Sequence, residues 1–314
     1  MRLNTDKLAR LALLWSEAVG PAGLLRLVAH FGTAEKVLTA SADDFASPDL
    51  GLRPEQIALL TGLRNRLEDF EAQWEECRSR YIRVLFPDDD GYPRILRDIP
   101  NRPGVLAIRG NWLASDDPAV GIVGTRRPTK DGLRMTEILA KTCASVGMTI
   151  VSGLAFGVDQ AAHEAALAAH GRTIAAVGCG ILAIEAEKSG GMESRIAEQG
   201  AVLSEFAPRA PVTVPHLMAR NRLTSGLARA LIVVQSRHRG GSLITARNAA
   251  RQGRIVAAVA WPEEVPEGEG CRELLRARAV ELRGAEDMRA LADRLRTEQP
   301  APARGSSQLP LLGE

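Results

Sequence analysis

The stretch from Gly121 to Gly132, GIVGTRRPTKDG, decides how the chain is read. An apolar run, AVGIV, ends at Gly124, passes through Thr125, Arg126, Arg127, Pro128 and Thr129, and enters a segment with helical spacing. A strand, a short turn and a helix start can hold a phosphate, because the unpaired first-turn amides and the helix dipole both favour an anion. Dinucleotide-binding turns use closely spaced glycines to bring backbone against a pyrophosphate. This turn offers two arginines instead.

The same pattern recurs on the C-terminal side. Strands are expected at AVGIVG, MTIVSG, RTIAAVGCG, ARALIVVQ and GRIVAAVAW, with helices between them such as DGLRMTEILAKTCASVG and VDQAAHEAALAAHG. Apolar strands alternating with helices predict an α/β fold, a parallel sheet with helices on both faces. Ligands of such sheets gather at the carboxyl ends of the strands. Four of those ends carry small or glycine-rich turns: Gly124-Thr125-Arg126, the run from Ser152 and Gly153 to Gly157, Gly178-Cys179-Gly180, and Arg239-Gly240-Gly241-Ser242. Together they predict a phosphate groove along one edge.

Ahead of this unit, residues 1–75 read as helices. Leu8, Leu11, Leu14 and Trp15 recur at helical spacing, as do Leu24, Leu27 and Val28. Between the two stripes, VGPAG (Val19 to Gly23) is a turn whose Pro21 suits the first position of the next helix. A small helical domain of the SAM or helix-hairpin-helix kind is expected, and such hairpins can hold DNA backbone through their amides. Residues 76–296 form the α/β unit, entered through a β-like, proline-rich connector at 81–111. Residues 297–314, TEQPAPARGSSQLPLLGE, are expected to be a disordered tail.

Composition excludes several classes. No run approaches the roughly 18–20 apolar residues of a membrane helix. The first segment, MRLNTDKLARLALLW, is short and charged, with no small-residue cleavage site after it. A cytoplasmic chain without a membrane span is expected. Cys77, Cys143, Cys179 and Cys271 are far apart and form no CxxC pair, so neither a zinc site nor a disulfide framework is indicated. Net charge is only +2, but its distribution is uneven: from Phe206 to Pro262 there are nine arginines and no acidic residue. A solvated face mixes its signs, so a one-sign run points to a polyanion.

Enzymatic readings fare less well. GIVGTR is not GxGxxG, no acid follows the second strand to hold a ribose hydroxyl, and no GxxxxGK[ST] occurs, so neither a nicotinamide or flavin site nor a P-loop is indicated. Asp159 and His163 stand four apart on one helix face, but no third ligand lies nearby in sequence. A nucleotide phosphoribohydrolase on a related fold would carry PGGxGTxxE; aligned on Gly240 and Gly241, this chain has Arg247 where the glutamate acts. A nucleotide-binding sensor fits the glycine turns but leaves the acid-free run unexplained. Without a purine site, arginines in the groove suit a running phosphate backbone, because guanidinium binds phosphate in a two-toothed fork and stacks on bases.

Four segments, GIVGTRRPTKDG, IVSGLAFGVDQAAHEAAL, RNRLTSGLARALIVVQ and GGSLITARNAARQGR, in this order and spacing, resemble the DNA-processing protein A (DprA/Smf) family, over roughly residues 8–280. The resemblance implies a non-enzymatic, extended Rossmann fold that binds and protects single-stranded DNA, helps load the RecA recombinase during natural transformation, and dimerises through the Rossmann domain, with no cofactor or metal. By motif it assigns DNA contacts to Arg126, to Arg220, Asn221 and Arg222, and to Gly240, Gly241 and Ser242. Gly124, Thr125, Arg127, Ser152, Gly153 and Arg239 complete the expected groove, and Lys188 supplies a further charge. There are departures. The family's D..YP..N segment is here LAIEAEKS (Leu182 to Ser189), the PG ending the next strand is WPEEVPEGEG, and the remaining tail is too short for the C-terminal winged helix many members carry. The tail itself, QLPLL, resembles the peptide that docks into the bacterial sliding clamp, with Gln308 at the pocket rim and Leu309, Leu311 and Leu312 filling an apolar groove.

Overall fold

A computed structural model describes residues 3–184 and 190–297. Lys188 and the clamp-like residues Gln308, Leu309, Leu311 and Leu312 lie outside the described residues. Helices α1 (Thr5–Trp15), α2 (Pro21–Phe31), α3 (Ala34–Thr39), α4 (Ala42–Phe45), α5 (Pro54–Gly62) and α6 (Leu67–Ser79) come first. Pro21 opens α2 as its spacing implied, and α6 runs four residues beyond position 75. The apolar stripe of α1 buries Leu11 and Leu13 against Phe45 and Phe70, in a core that continues onto Phe86, Val105 and Ala107 of the connector. The helical segment and the sheet edge therefore share one apolar core.

The strands are β1 (Arg83–Leu85), β2 (Leu106–Gly110), β3 (Ala119–Val123), β4 (Thr149–Ser152), β5 (Thr173–Ala176), β6 (Ala201–Ser204), β7 (Ala230–Val233), β8 (Ile255–Val259) and β9 (Val280–Leu282). Among the described residues they form one sheet in the order β1-β2-β6-β5-β4-β3-β7-β8-β9. From β6 to β9 every pairing is parallel, whereas β2 runs antiparallel to both β1 and β6. The connector thus extends a doubly wound parallel sheet by an antiparallel edge. β6 and β9, with four and three residues, add two strands to those expected from the sequence.

Successive residues of each strand face opposite layers. Ile122 and Ile150 meet Leu139 and Ala162 of α7 (Lys130–Ser145) and α8 (Val158–Ala168), on the face that also carries α13 (Ala285–Thr297). On this same face α9 (Met192–Gln199) packs Ile196 against Ala175 and Val202. Opposite, Val151 and Ile174 meet Leu223 of α10 (Val214–Gly226), while Val233 and Leu231 meet Leu243 of α11 (Gly241–Arg251) and Leu274 of α12 (Glu269–Arg276). The four cysteines are buried and none forms a disulfide; burial pushes the Cys77, Cys143 and Cys271 thiols up to about 12. No helix among the described residues is long and apolar enough to cross a membrane.

Candidate nucleic-acid interface

The chain leaves β3 towards β4 on one side and returns through β7 on the other, so the sheet has its topological switch point between β3 and β7. Connections there diverge to opposite faces and open a crevice at the carboxyl ends of the strands. The crevice is a cleft of about 530 Å³, walled by Gly124 to Arg126, by Arg220 and Asn221 of α10, and by Gly240 to Ser242 at the start of α11.

Of the helix starts bordering it, the one that follows the decisive stretch carries a side-chain cap. Thr129 caps α7, accepting the Gly132 amide at 3.0 Å, and buried Gln235 takes the Thr129 amide on Oε1 at 3.0 Å while donating Nε2 to Thr129 Oγ1 at 2.9 Å. The Thr129 and Gly132 amides at this helix start are therefore used internally. The start of α11 differs. Gly240 is its N-cap with no side-chain cap, and the amides of Gly241 and Ser242 have no acceptor among the described residues. Gly240 itself donates to the Arg237 carbonyl at 3.0 Å, and a Cβ at Gly240 would lie 2.3 Å from Ser236 Oγ.

The floor is Arg220. Only 5% of it is exposed, yet no carboxylate among the described residues reaches its guanidinium. Nη1 has Thr224 Oγ1 at 3.4 Å, and Nε has no acceptor. Its side chain fits because position 153 is glycine: a Cβ there would sit 1.4 Å from Nη1. Asp159 is the nearby acid, but its carboxylate accepts the Gly153 amide at 3.1 Å; burial pushes that carboxyl above its usual range, against the opposing charge of Arg220 and the amides of Ala155 and Gly153. Burial likewise draws Arg220 downward, opposed by Asp159, with the like charge of Arg126 adding to the fall. A guanidinium held this dry, with no carboxylate in salt-bridge contact, costs free energy that a bound anion would return.

Arg126 stands exposed above Arg220, and both side chains also border a second cleft of about 280 Å³. That cleft is apolar, lined by Leu154, Phe156, Val177, Val212 and Leu217. Phe156 is 55% exposed and Val212 56%, an unusual cost for large apolar groups unless a partner covers them. Nothing in the sequence marked Phe156 beyond its place in the glycine-rich run SGLAFG.

Other expected groove residues go elsewhere. Ser152 is buried, its hydroxyl donating to the Ile122 carbonyl at 2.6 Å, so it belongs to the sheet and cannot contact a ligand. The Gly153 amide is taken by Asp159, so this glycine makes room and donates nothing outward. Arg222, two residues from Arg220 and therefore on the other side of α10, forks onto Glu205 at 2.5 and 2.6 Å and faces the helical segment. The Gly178-Cys179-Gly180 turn is buried; Gly180 donates to the Ala210 carbonyl at 2.8 Å. Arg127 and Arg239 are exposed, Arg239 with φ 57° in the loop that feeds α11, and Thr125 and Asn221 line the cleft.

The acid-free run is not a one-sign surface in space. Arg209, Arg222, Arg229 and Arg237 pair with Glu76, Glu205, Asp117 and Glu267, all from outside the run. Arg220, by contrast, has no ion-pair partner among the described residues, and it lines the cleft together with Arg126.

Asp159 and His163 do not form a catalytic or metal pair. Thr173 Oγ1 donates to the Ile150 carbonyl at 3.1 Å, so it accepts from His163 Nδ1 at 2.7 Å and leaves Nε2 bare and unprotonated. Burial and the Arg220 charge lower His163 from 6.5 to about 3. The unfolded chain therefore takes a proton near pH 6.5 that the folded chain refuses, and stability falls as pH drops through 6.5. Relative to His163→Gln, the wild type should lose about 1.4 kcal/mol between pH 7.5 and 5.5 in denaturant titrations. Parallel pH profiles would contradict this.

The fold and cleft define a doubly wound α/β protein with an arginine-lined cleft at its switch point and an apolar slot beside it. Residues 83–293 match the model of the DNA recombination-mediator protein A family, and residues 4–41 that of a DprA-like N-terminal HHH domain. The chain belongs to the DNA recombination-mediator protein A family. Protein Smf of Synechocystis sp. is 36% identical over 269 residues, 84% of this chain and 67% of that protein. The DNA processing protein DprA of Bacillus subtilis is 35% identical over 231 residues, 72% of this chain and 78% of that protein. The crystal structure of DprA from Streptococcus pneumoniae aligns with a TM-score of 0.77 at 28% identity, over 92% of this chain and 98% of its own. DprA from Helicobacter pylori, solved for its single-stranded DNA binding mode, aligns with a TM-score of 0.61 at 29% identity, over 68% and 96%.

Proposed function

We propose that this chain is a non-enzymatic, single-stranded DNA-binding protein of recombination or natural transformation, one that protects the strand and helps load RecA recombinase. The observation that carries the reading is Arg220, a buried guanidinium with no carboxylate in salt-bridge contact among the described residues, lining a cleft whose other wall is a helix start without a side-chain cap. Phosphates would sit on Arg126, Arg220 and the Gly241 and Ser242 amides, with bases against Phe156. The apolar slot lies beside the charged one, so a base can enter it only by leaving its stack. That favours a single strand over a duplex.

Labelled dT oligomers should bind more tightly than a matched duplex in anisotropy titrations at several salt concentrations, and RecA filaments should form faster on protein-coated strands. Equal affinity for the duplex would contradict the single-strand reading, and tight binding of a mononucleotide with indifference to DNA would put a nucleotide sensor in its place. Base–aromatic stacking is worth about 1–3 kcal/mol per base. Phe156→Ala should weaken binding by that much while leaving the salt dependence unchanged, because no charge is removed. Dimerisation through the α/β unit and docking of Gln308 to Leu312 into a sliding clamp extend the proposal. Unchanged clamp affinity after deleting those five residues would remove the clamp from it.

A further inference from the structure

The switch-point cleft carries more positive charge than an internal phosphodiester can use. Arg126 and Arg220 contribute two guanidinium groups and the open end of α11 about half a charge, against one lining carboxyl, Asp159, which burial pushes towards its neutral form. Arg237 borders the same cleft but is neutralised by Glu267 at 2.6 Å. Against this, an internal phosphodiester offers one negative charge. A terminal phosphate offers about 1.5 to 2 at pH 7, with a second pKa near 6.

Access points the same way. Arg220 is 5% exposed, so an oxygen must reach past the walls of the cleft to meet it. An internal phosphate carries a sugar on both sides and presents two free oxygens. A monoester has one substituent, enters end-on and presents three. The apolar slot lined by Leu154, Phe156 and Val212 meets the charged cleft at the same two arginines, so one nucleotide can span them. Its phosphate would lie on the guanidinium groups and its base in the slot.

We infer that the cleft is built for the phosphomonoester terminus of a DNA strand, with Arg220 and the open end of α11 gripping the terminal phosphate and the Phe156 slot holding the terminal base. This rests on the single-stranded DNA reading and sharpens it, because the ligand becomes a strand end.

The test is competition anisotropy with the full chain, using dT oligomers of one length that carry a 5′-phosphate, a 3′-phosphate or hydroxyls at both ends, with free dTMP as a separate competitor. A terminal phosphate at one end or the other should tighten binding at least fivefold at pH 7.5. The gain should shrink towards unity at pH 5.5, as the terminal phosphate takes up its second proton and loses its second charge. It should also vanish in Arg220→Met, with the thermal unfolding curve showing that this variant is folded. Equal affinity of all three oligomers would overturn the inference and leave the single-strand reading standing. Failure of every oligomer to bind would overturn both. dTMP competing as well as the phosphorylated oligomer would overturn the strand end in favour of a free-nucleotide site.

Discussion

Arg220→Met should lower affinity for single-stranded DNA by about 2 kcal/mol or more, roughly thirtyfold, while leaving the protein at least as stable as the wild type. Ordinarily a buried arginine is anchored by a carboxylate, and its removal leaves that partner stranded at a cost of about 3–5 kcal/mol. Here no carboxylate among the described residues reaches the guanidinium, and Asp159 keeps its backbone amides when the arginine is gone. Methionine has similar length and no charge to desolvate, so a gain of about 1 kcal/mol in chemical denaturation is expected. Opposite movement of affinity and stability is the signature of a residue held for a ligand. A variant that loses both in parallel would show that Arg220 is a structural element of the floor.

Gly153→Ala should damage the same site from the other side. The added Cβ would overlap Arg220 Nη1 at 1.4 Å, so the guanidinium must leave its place against position 153 and shift into the clefts it lines. Overpacking of this kind costs about 1–3 kcal/mol of stability, and displacing the guanidinium should lower DNA affinity as far as Arg220→Met does. The double variant separates the two effects. Gly153→Ala with Arg220→Met should recover most of the stability, because the clash is gone, and none of the affinity. If Gly153→Ala instead lowers affinity without destabilising the fold, the tight packing described for this floor is wrong.

The arrangement of the sheet was legible because the signals are local. Each of β3, β4, β5, β7 and β8 is an apolar run followed by a turn and a helix period, and parallel pairing places the turns on one edge. What sequence could not show is which groups the fold would use up internally. The Thr129 that caps α7 is itself held by Gln235, 106 residues away along the chain. Four of the nine arginines of the acid-free run found partners at Glu76, Asp117, Glu205 and Glu267, so part of a charge that seemed free was neutralised. The division between Arg220 and Arg222 was readable, since residues two apart on a helix face different sides. Phe156 was not readable as a platform, since only the fold places it beside Arg126 and Arg220 in the apolar cleft.

Electrostatic contact between the exposed Arg126 and the phosphates of a single strand is most directly read from salt. Affinity of wild type and Arg126→Ala for a dT oligomer should be measured by anisotropy across a series of salt concentrations. Neutralising one phosphate of a single strand contributes about 0.7 to the slope of log affinity against log salt. The variant should therefore bind more weakly at every concentration, with a slope shallower by about 0.7. An unchanged slope, or unchanged affinity at low salt, would mean that Arg126 touches no phosphate and that the switch-point cleft is not where the strand runs.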